Sequence, residues 1–210
     1  MPWLRREGDI LPKTLVAAVT ELPRAAVTMT LGNVLLIVKL EDPEGNLGKL
    51  LHECTQVAVA PPKTTRSSTK VSPKWLESRH PRAPPPSLGP RALERRLRAA
   101  THFVIPLSQW AAQLHSDRIS IGRARARDLV LYNHSVSSFH AWLNHDESGN
   151  YFLTDNGSTN GTHLNEEKLT PHRFVDIRAG DSIAFGDVET FVCRSETFWD
   201  VVAAKASRNR

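Results

Sequence analysis

The C-terminal half of this 210-residue chain is predicted to fold as an all-β sandwich. Overall usage, 40% hydrophobic and 23% charged, is that of an ordinary globular protein. After residue 100, runs of three to six apolar or alternating residues recur about every ten positions. Pieces rich in Gly, Asn, Asp and Ser separate these runs, which is the pattern of short strands joined by turns.

Residues 1–60 read as a small α/β region. Leu11 to Leu22 places Leu15, Val16, Val19 and Leu22 at amphipathic helical spacing. Val27 to Leu40 is β-branched and aliphatic, broken by Leu31-Gly32-Asn33, a turn leading into a strand. Glu41 to Gly48 is a loop, and Leu50 to Ala60 fits either a helix or a strand. With so few aromatics, sixty residues make a marginal core, so this region is expected to lean on the rest of the chain.

Residues 61–100 form a basic linker. Eight of the fourteen prolines fall between 61 and 90, interspersed with Thr64, Thr65, Ser67, Ser68, Thr69 and Ser72. Such composition buries too little apolar surface to offset chain entropy, so the segment is expected to be extended. It carries ten basic and two acidic residues, a net of +8, whereas residues 101–210 carry eleven and thirteen, a net of −2. The basic character of the chain therefore belongs to the linker. Arg91 to Ala100 closes it with a short helix in which Leu93 and Leu97 lie four apart.

Within residues 101–197, the expected strands are Phe103-Val104-Ile105, Ile119-Ser120-Ile121, Leu129-Val130-Leu131, His140-Ala141-Trp142-Leu143, Tyr151-Phe152-Leu153, Ile183-Ala184-Phe185 and Phe191-Val192-Cys193. Residues 198–210 are expected to add a closing helix, Phe198 to Ala206, and a basic tail.

Three of the intervening loops are rich in groups suited to an anion. Gly122-Arg123 places a guanidinium beside a residue that permits close backbone approach. Ser137-Ser138-Phe139-His140 supplies two hydroxyls and an imidazole, and Gly157 to Thr162 supplies hydroxyls and an amide between glycines. Arginine presents a planar fork of donors matched to phosphate, and neutral hydroxyls and loop N–H groups complete such a site.

Residues from about 103 to 195 resemble a forkhead-associated (FHA) domain. The matching pieces are Ile121-Gly122-Arg123, Leu129-Val130-Leu131, Val136-Ser137-x-x-His140-Ala141, Leu153-x-Asp155-x-Gly157-Ser158-Thr159-Asn160-Gly161-Thr162, Leu164-Asn165 and Gly180-Asp181-x-Ile183-x-Phe185-Gly186. The resemblance implies a sandwich of two antiparallel sheets that binds phosphothreonine peptides. It implies that Arg123 pairs with the phosphate, Ser137 donates to a phosphate oxygen and Ser138 adds a contact. Thr159 frames the phosphate and the threonine methyl, and Asn160 bonds the peptide main chain. Gly122, His140 and Gly161 are implied as structural support. Two positions depart from the family's commoner pattern: Ser138 stands where Arg or Lys is frequent, and Arg125, Arg127 and Asp128 occupy a loop where an Asn is usual.

Other chemistry is poorly supported. Ser137, His140 and Asp155 can be written as a triad, but no nucleophile elbow surrounds them. Gly157 to Gly161 lacks the Lys-Ser/Thr of a nucleotide loop, and the histidines show no metal-ligand spacing. The expectation is a non-catalytic protein with no metal or cofactor. Its partner would be a phosphothreonine-containing protein, a Ser/Thr kinase or a kinase substrate, and it would serve as a signalling adaptor. The alternative is an assembly protein acting through residues 1–60 with a non-binding scaffold.

The linker admits plain solvation, phosphorylation at Thr65 to Thr69, or ionic contact with nucleic acid; Trp75 is its single aromatic, so stacking support is thin. No apolar run spans a bilayer: the longest aliphatic stretch, Val34 to Val38, stops at Lys39. Arg5, Arg6, Glu7 and Asp9 stand where a secretory signal would be apolar. Two cysteines, Cys54 and Cys193, are too few for a disulfide framework, so a cytoplasmic setting is expected.

Overall fold

A computed structural model describes residues 23–40, 89–99, 101–107, 118–146 and 149–208. The expected helix Leu11 to Leu22, the loop and element of residues 41–60 and the Pro-rich stretch to residue 88 lie outside the described residues. Among these, helix α1 (Arg24–Leu31) and strand β1 (Val34–Leu40) come first, then α2 (Pro90–Ala99) and β2 (Thr101–Pro106). Next are β3 (Arg118–Gly122), β4 (Leu129–Val130), β5 (Ala141–His145), β6 (Tyr151–Asp155) and β7 (Thr162–Leu164). The chain continues through β8 (Glu167–Lys168), β9 (Val175–Ile177), β10 (Ser182–Phe185), β11 (Val188–Arg194) and α3 (Ser195–Arg208).

The strands form two sheets, ordered β2-β1-β11-β10-β7-β8 and β4-β3-β5-β6-β9. The pairings are antiparallel apart from β3 with β4, which run parallel with Ile121 opposite Leu129. The all-β sandwich arises from alternation. Ile119 and Ile121, Ala141 and Leu143, and Tyr151 and Leu153 point inward from the five-stranded sheet. They meet Leu36, Val38, Ile105, Leu164, Ile183, Phe185 and Val192 from the other. Successive side chains of a strand point to opposite faces, so every second residue enters the core.

Strand β1 is buried on both faces. Leu36 and Val38 join the core between the sheets, while Leu35 and Ile37 face away from it. On that far face they pack with Leu93 of α2, Phe191 and Cys193 of β11, and Phe198, Val201 and Val202 of α3. The six-stranded sheet thus carries a helical layer on its outer side. The strand expected in the N-terminal region is consequently a central strand of the sandwich, paired with β11 on one side and β2 on the other. A salt bridge of 2.7 Å from Lys39 Nζ to Glu189 reinforces the β1–β11 pair.

The stretch Val27 to Leu31, β-like in composition, is instead the second half of helix α1. Its packing against α3 overrides β-propensity, which is a weak and context-dependent preference. Arg24 lies 3.6 Å from Glu196 and 3.5 Å from Asp200 of that helix. Gly32, at φ 73°, ends the helix and turns the chain into β1. Strands β7, β8 and β9, two or three residues each, are too short to show as separate runs in the sequence. No described helix is long and apolar enough to cross a membrane.

Candidate functional site

Three loops at one end of the sandwich are laced together by main-chain bonds. In the β3–β4 loop, Arg123 N–H donates to Ser137 O at 2.9 Å and Ala124 N–H to Ser138 O at 3.2 Å, both acceptors lying in the β4–β5 loop. Leu131 N–H donates to Gly122 O at 3.0 Å, and His140 N–H to Ile121 O at 2.8 Å. Gly122 makes this lacing possible. A Cβ there would stand 2.5 Å from Ser138 O and 3.0 Å from Phe139 Cα, both backbone atoms. The requirement is close approach rather than a special dihedral.

Arg123 is exposed, and its Nε donates to Val136 O at 3.1 Å. That bond orients the guanidinium, and its two terminal nitrogens are unbonded among the described residues. Ser137 joins the β4–β5 loop to the β6–β7 loop: its Oγ accepts from Thr159 N–H at 3.0 Å and lies 3.4 Å from Thr159 Oγ1. Asn160 is exposed, and its Nδ2 donates to Ser135 O at 2.8 Å. Arg123, Ser137, Thr159 and Asn160 are thus brought onto one rim. Ser138 is exposed and, among the described residues, is tied to the cluster only through its carbonyl.

His140 is the post that holds these loops. Its ring is fully buried; Nδ1 accepts from Ser137 N–H at 3.0 Å and Nε2 lies 3.2 Å from Gly161 O. A carbonyl can only accept, so Nε2 carries the proton and the ring is the neutral Nε2–H tautomer. Burial, which disfavours the cation, holds the pKa below its ordinary value; the Gly161 carbonyl and the Asp155 charge oppose this without overcoming it. Both ring nitrogens are committed to backbone, and Ser137 Oγ is engaged with Thr159 instead. The written triad of Ser137, His140 and Asp155 is not assembled as a relay.

Asp155 shapes the β6–β7 loop. Its carboxylate accepts from Gly157 N–H at 2.9 Å, Ser158 N–H at 3.0 Å, Ser158 Oγ at 2.6 Å and Thr162 Oγ1 at 2.6 Å. Burial pulls its pKa upward, but bonds from the Ser158 and Thr162 hydroxyls and from the Ser158 and Gly157 amides outweigh it, leaving the carboxyl below its ordinary value. Gly161, at φ +87°, lets the loop turn into β7, and the Lys168 side chain lies directly over it.

Two residues carry more of this scaffold than their local sequence shows. Ser135 accepts the Asn160 bond through its carbonyl, and its Oγ accepts from Asp187 N–H at 2.8 Å, joining the β10–β11 turn to the site. Gly186 packs there so closely that a Cβ would stand 2.6 Å from Ser135 O. Asp128, at one of the departing positions, accepts from both Ser120 N–H and Ser120 Oγ and so fixes the end of the β3–β4 loop. Arg127 stacks over Phe139 at 4.5 Å, and Phe139 meets Trp142 edge-on at 4.6 Å. Among the described residues, no cluster of three His, Cys, Asp or Glu side chains could hold a metal ion.

The arrangement offers an anion one oriented guanidinium with neutral hydroxyl and amide groups beside it. Residues 119–186 match the family model of the FHA domain. Among curated proteins, the chain is similar to kanadaptin of Homo sapiens, 35% identical over 75 residues covering 31% of this chain and 10% of that protein. It is also similar to an FHA domain-containing protein of Arabidopsis thaliana, 36% identical over 70 residues, 33% of this chain and 18% of that protein. The match therefore spans less than a fifth of either relative. Among solved structures, EmbR of Mycobacterium tuberculosis in complex with a low-affinity phosphopeptide is 32% identical, with 37% of this chain and 20% of that chain covered and a TM-score of 0.34. The N-terminal FHA domain of Rad53p from S. cerevisiae, in complex with a phosphothreonine peptide, is 28% identical, with 40% and 72% covered and a TM-score of 0.35.

Proposed function

We propose, from the match of residues 119–186 to the FHA-domain family model, that the chain is a phosphothreonine-dependent adaptor in a Ser/Thr kinase pathway. The single observation that carries this reading is the convergence of Arg123, Ser137 and Thr159 on one rim, with the guanidinium oriented by Val136 O. A phosphate carries roughly −1.5 to −2 charges at neutral pH, which an arginine fork and neutral donors favour over a bare hydroxyl. In this reading Arg123 pairs with the phosphate. Ser137 turns its hydroxyl toward a phosphate oxygen, and Thr159 bounds the space taken by the threonine methyl. Asn160, whose Nδ2 already donates to Ser135, offers Oδ1 to a peptide N–H. Ser138 adds its hydroxyl at the edge. Gly122, His140 and Gly161 hold the loops in place and touch no ligand.

The reading involves no catalytic step. It treats α1, β1, α2 and α3 as one unit with the sandwich. It places the protein in the cytoplasm with a kinase or a kinase substrate as partner; Cys193, a free buried thiol, is in keeping with a reducing setting.

The test is a phosphothreonine peptide library screened against the full chain, and then titration of the selected sequence with Arg123→Ala and Ser137→Ala. Charge-assisted hydrogen bonds contribute about 1.5–3 kcal/mol each, so losing Arg123 is expected to weaken binding at least tenfold. Retention of the cellular partner by Arg123→Ala at unchanged affinity would transfer the function to the N-terminal region and make the loops a scaffold.

A further inference from the structure

Lys168 sits on β8, opposite His163 in the β7–β8 hairpin. Its side chain folds back across Gly161. A Cβ on that glycine would contact Lys168 Cε and would stand 3.1 Å from Nζ and 3.3 Å from Cδ. The aliphatic stem is therefore laid on a bare stretch of backbone, which fixes where the ammonium ends. Gly161 itself is held, its carbonyl meeting His140 Nε2 at 3.2 Å and Gly186 N–H at 3.2 Å, so the surface under the lysine is rigid. Lys168 is exposed, and among the described residues no carboxylate lies within salt-bridge distance of its ammonium. Its neighbour Glu167 points to the opposite face of the strand, as adjacent strand residues do.

An exposed ammonium, unpaired among the described residues, thus lies over Gly161, one residue beyond Asn160 on the loop that also presents Thr159. The β4–β5 loop supplies no such charge, since Ser138 is neutral and bonded to the cluster only through its carbonyl. We propose that Lys168 is a specificity residue of this site, reading an acidic side chain, Asp or Glu, on the part of the phosphopeptide that crosses Asn160 and Gly161. The proposal rests on the phosphothreonine reading and names the preferred class of ligand within it. An exposed pair of this kind changes affinity by about two- to fivefold and weakens as salt rises.

The test uses fluorescence anisotropy with the full chain and phosphothreonine peptides in which glutamate, against alanine, is walked through the flanking positions. For wild type, glutamate at one position is expected to tighten binding about two- to fivefold in low salt. Lys168→Gln is expected to abolish that difference between the glutamate and alanine peptides, and Lys168→Arg to restore it. If wild type binds the phosphopeptides but glutamate helps nowhere, or helps Lys168→Gln equally, the role of Lys168 is refuted while the phosphate site stands. If wild type fails to distinguish phosphorylated from unphosphorylated peptides, the site reading falls and this role falls with it.

Discussion

Removing residues 1–88 leaves the whole matched stretch 119–186 in place, yet the remaining fragment is expected not to hold its fold. The deletion takes away β1, whose Leu35, Leu36, Ile37 and Val38 are each between 0% and 2% exposed. Full burial of one such side chain is worth about 1.5–3 kcal/mol, so four of them represent about 6–12 kcal/mol. That is comparable with the total stability of a domain, about 5–15 kcal/mol. The loss is also topological, because β11 and β2 both pair with β1 and neither has the other as a neighbour. The assay is urea denaturation monitored by tryptophan fluorescence, comparing the full chain with residues 89–210. The full chain should unfold cooperatively; the fragment should show no cooperative transition. Leu36→Ala in the full chain, which removes one side chain from between the sheets, should cost about 2–5 kcal/mol. A fragment unfolding cooperatively at the midpoint of the full chain would refute the assignment of β1 to the sandwich.

The site itself makes further outcomes testable. Gly122→Ala should weaken phosphopeptide binding about fivefold or more in titration, because the new Cβ meets the backbone of Ser138 and Phe139 and must move Arg123; overpacking of this kind costs about 1–3 kcal/mol. His140→Ala leaves the Ser137 N–H without its ring partner, which costs about 1–3 kcal/mol, and takes from the Gly161 carbonyl one of its two donors, the other being Gly186 N–H. It should lower both the urea midpoint and the affinity, although the ring is fully buried. Stability should also depend on pH through groups shifted by the fold. His140 and Asp155 are both lowered, so their contributions are full above the unfolded values of 6.5 and 3.8 and are lost as pH falls through the folded values. Tyr151 is raised by burial to about 12, so its contribution is full below 10.0 and is lost as pH rises toward 12. Thermal melts across pH should therefore show a plateau bounded by these two declines.

Much of the sandwich is legible in sequence because its strands alternate. Ile119-Ser120-Ile121 and Ala141-Trp142-Leu143 declare both their conformation and their inner face. The place of β1 is harder to read. Val34 to Val38 is a continuous apolar run, the signature of a strand covered on both faces. Its partners β11 and β2 are remote in sequence, however, and pairing leaves no local mark. Helix α1 is hidden for a related reason: Val27, Thr28 and Thr30 favour strand locally, whereas the helix lies against α3, which is remote in sequence. At the site, Arg123, Ser137 and Asn160 stand out because loops rarely cluster such donors. Lys168 does not, since it reaches Gly161 only through the β7–β8 hairpin, whose strands are two or three residues long. Ser135 and Gly186 are likewise joined by a turn about fifty residues away.

Recognition of phosphothreonine is decided by the affinity of the intact chain for one peptide in three forms, carrying threonine, phosphothreonine and phosphoserine. Measurable binding is expected for the phosphothreonine form, weaker binding for phosphoserine for want of the methyl beside Thr159, and none for the bare hydroxyl. Equal affinity for the phosphorylated and unphosphorylated threonine peptides would overturn the assignment of the rim as a phosphate site.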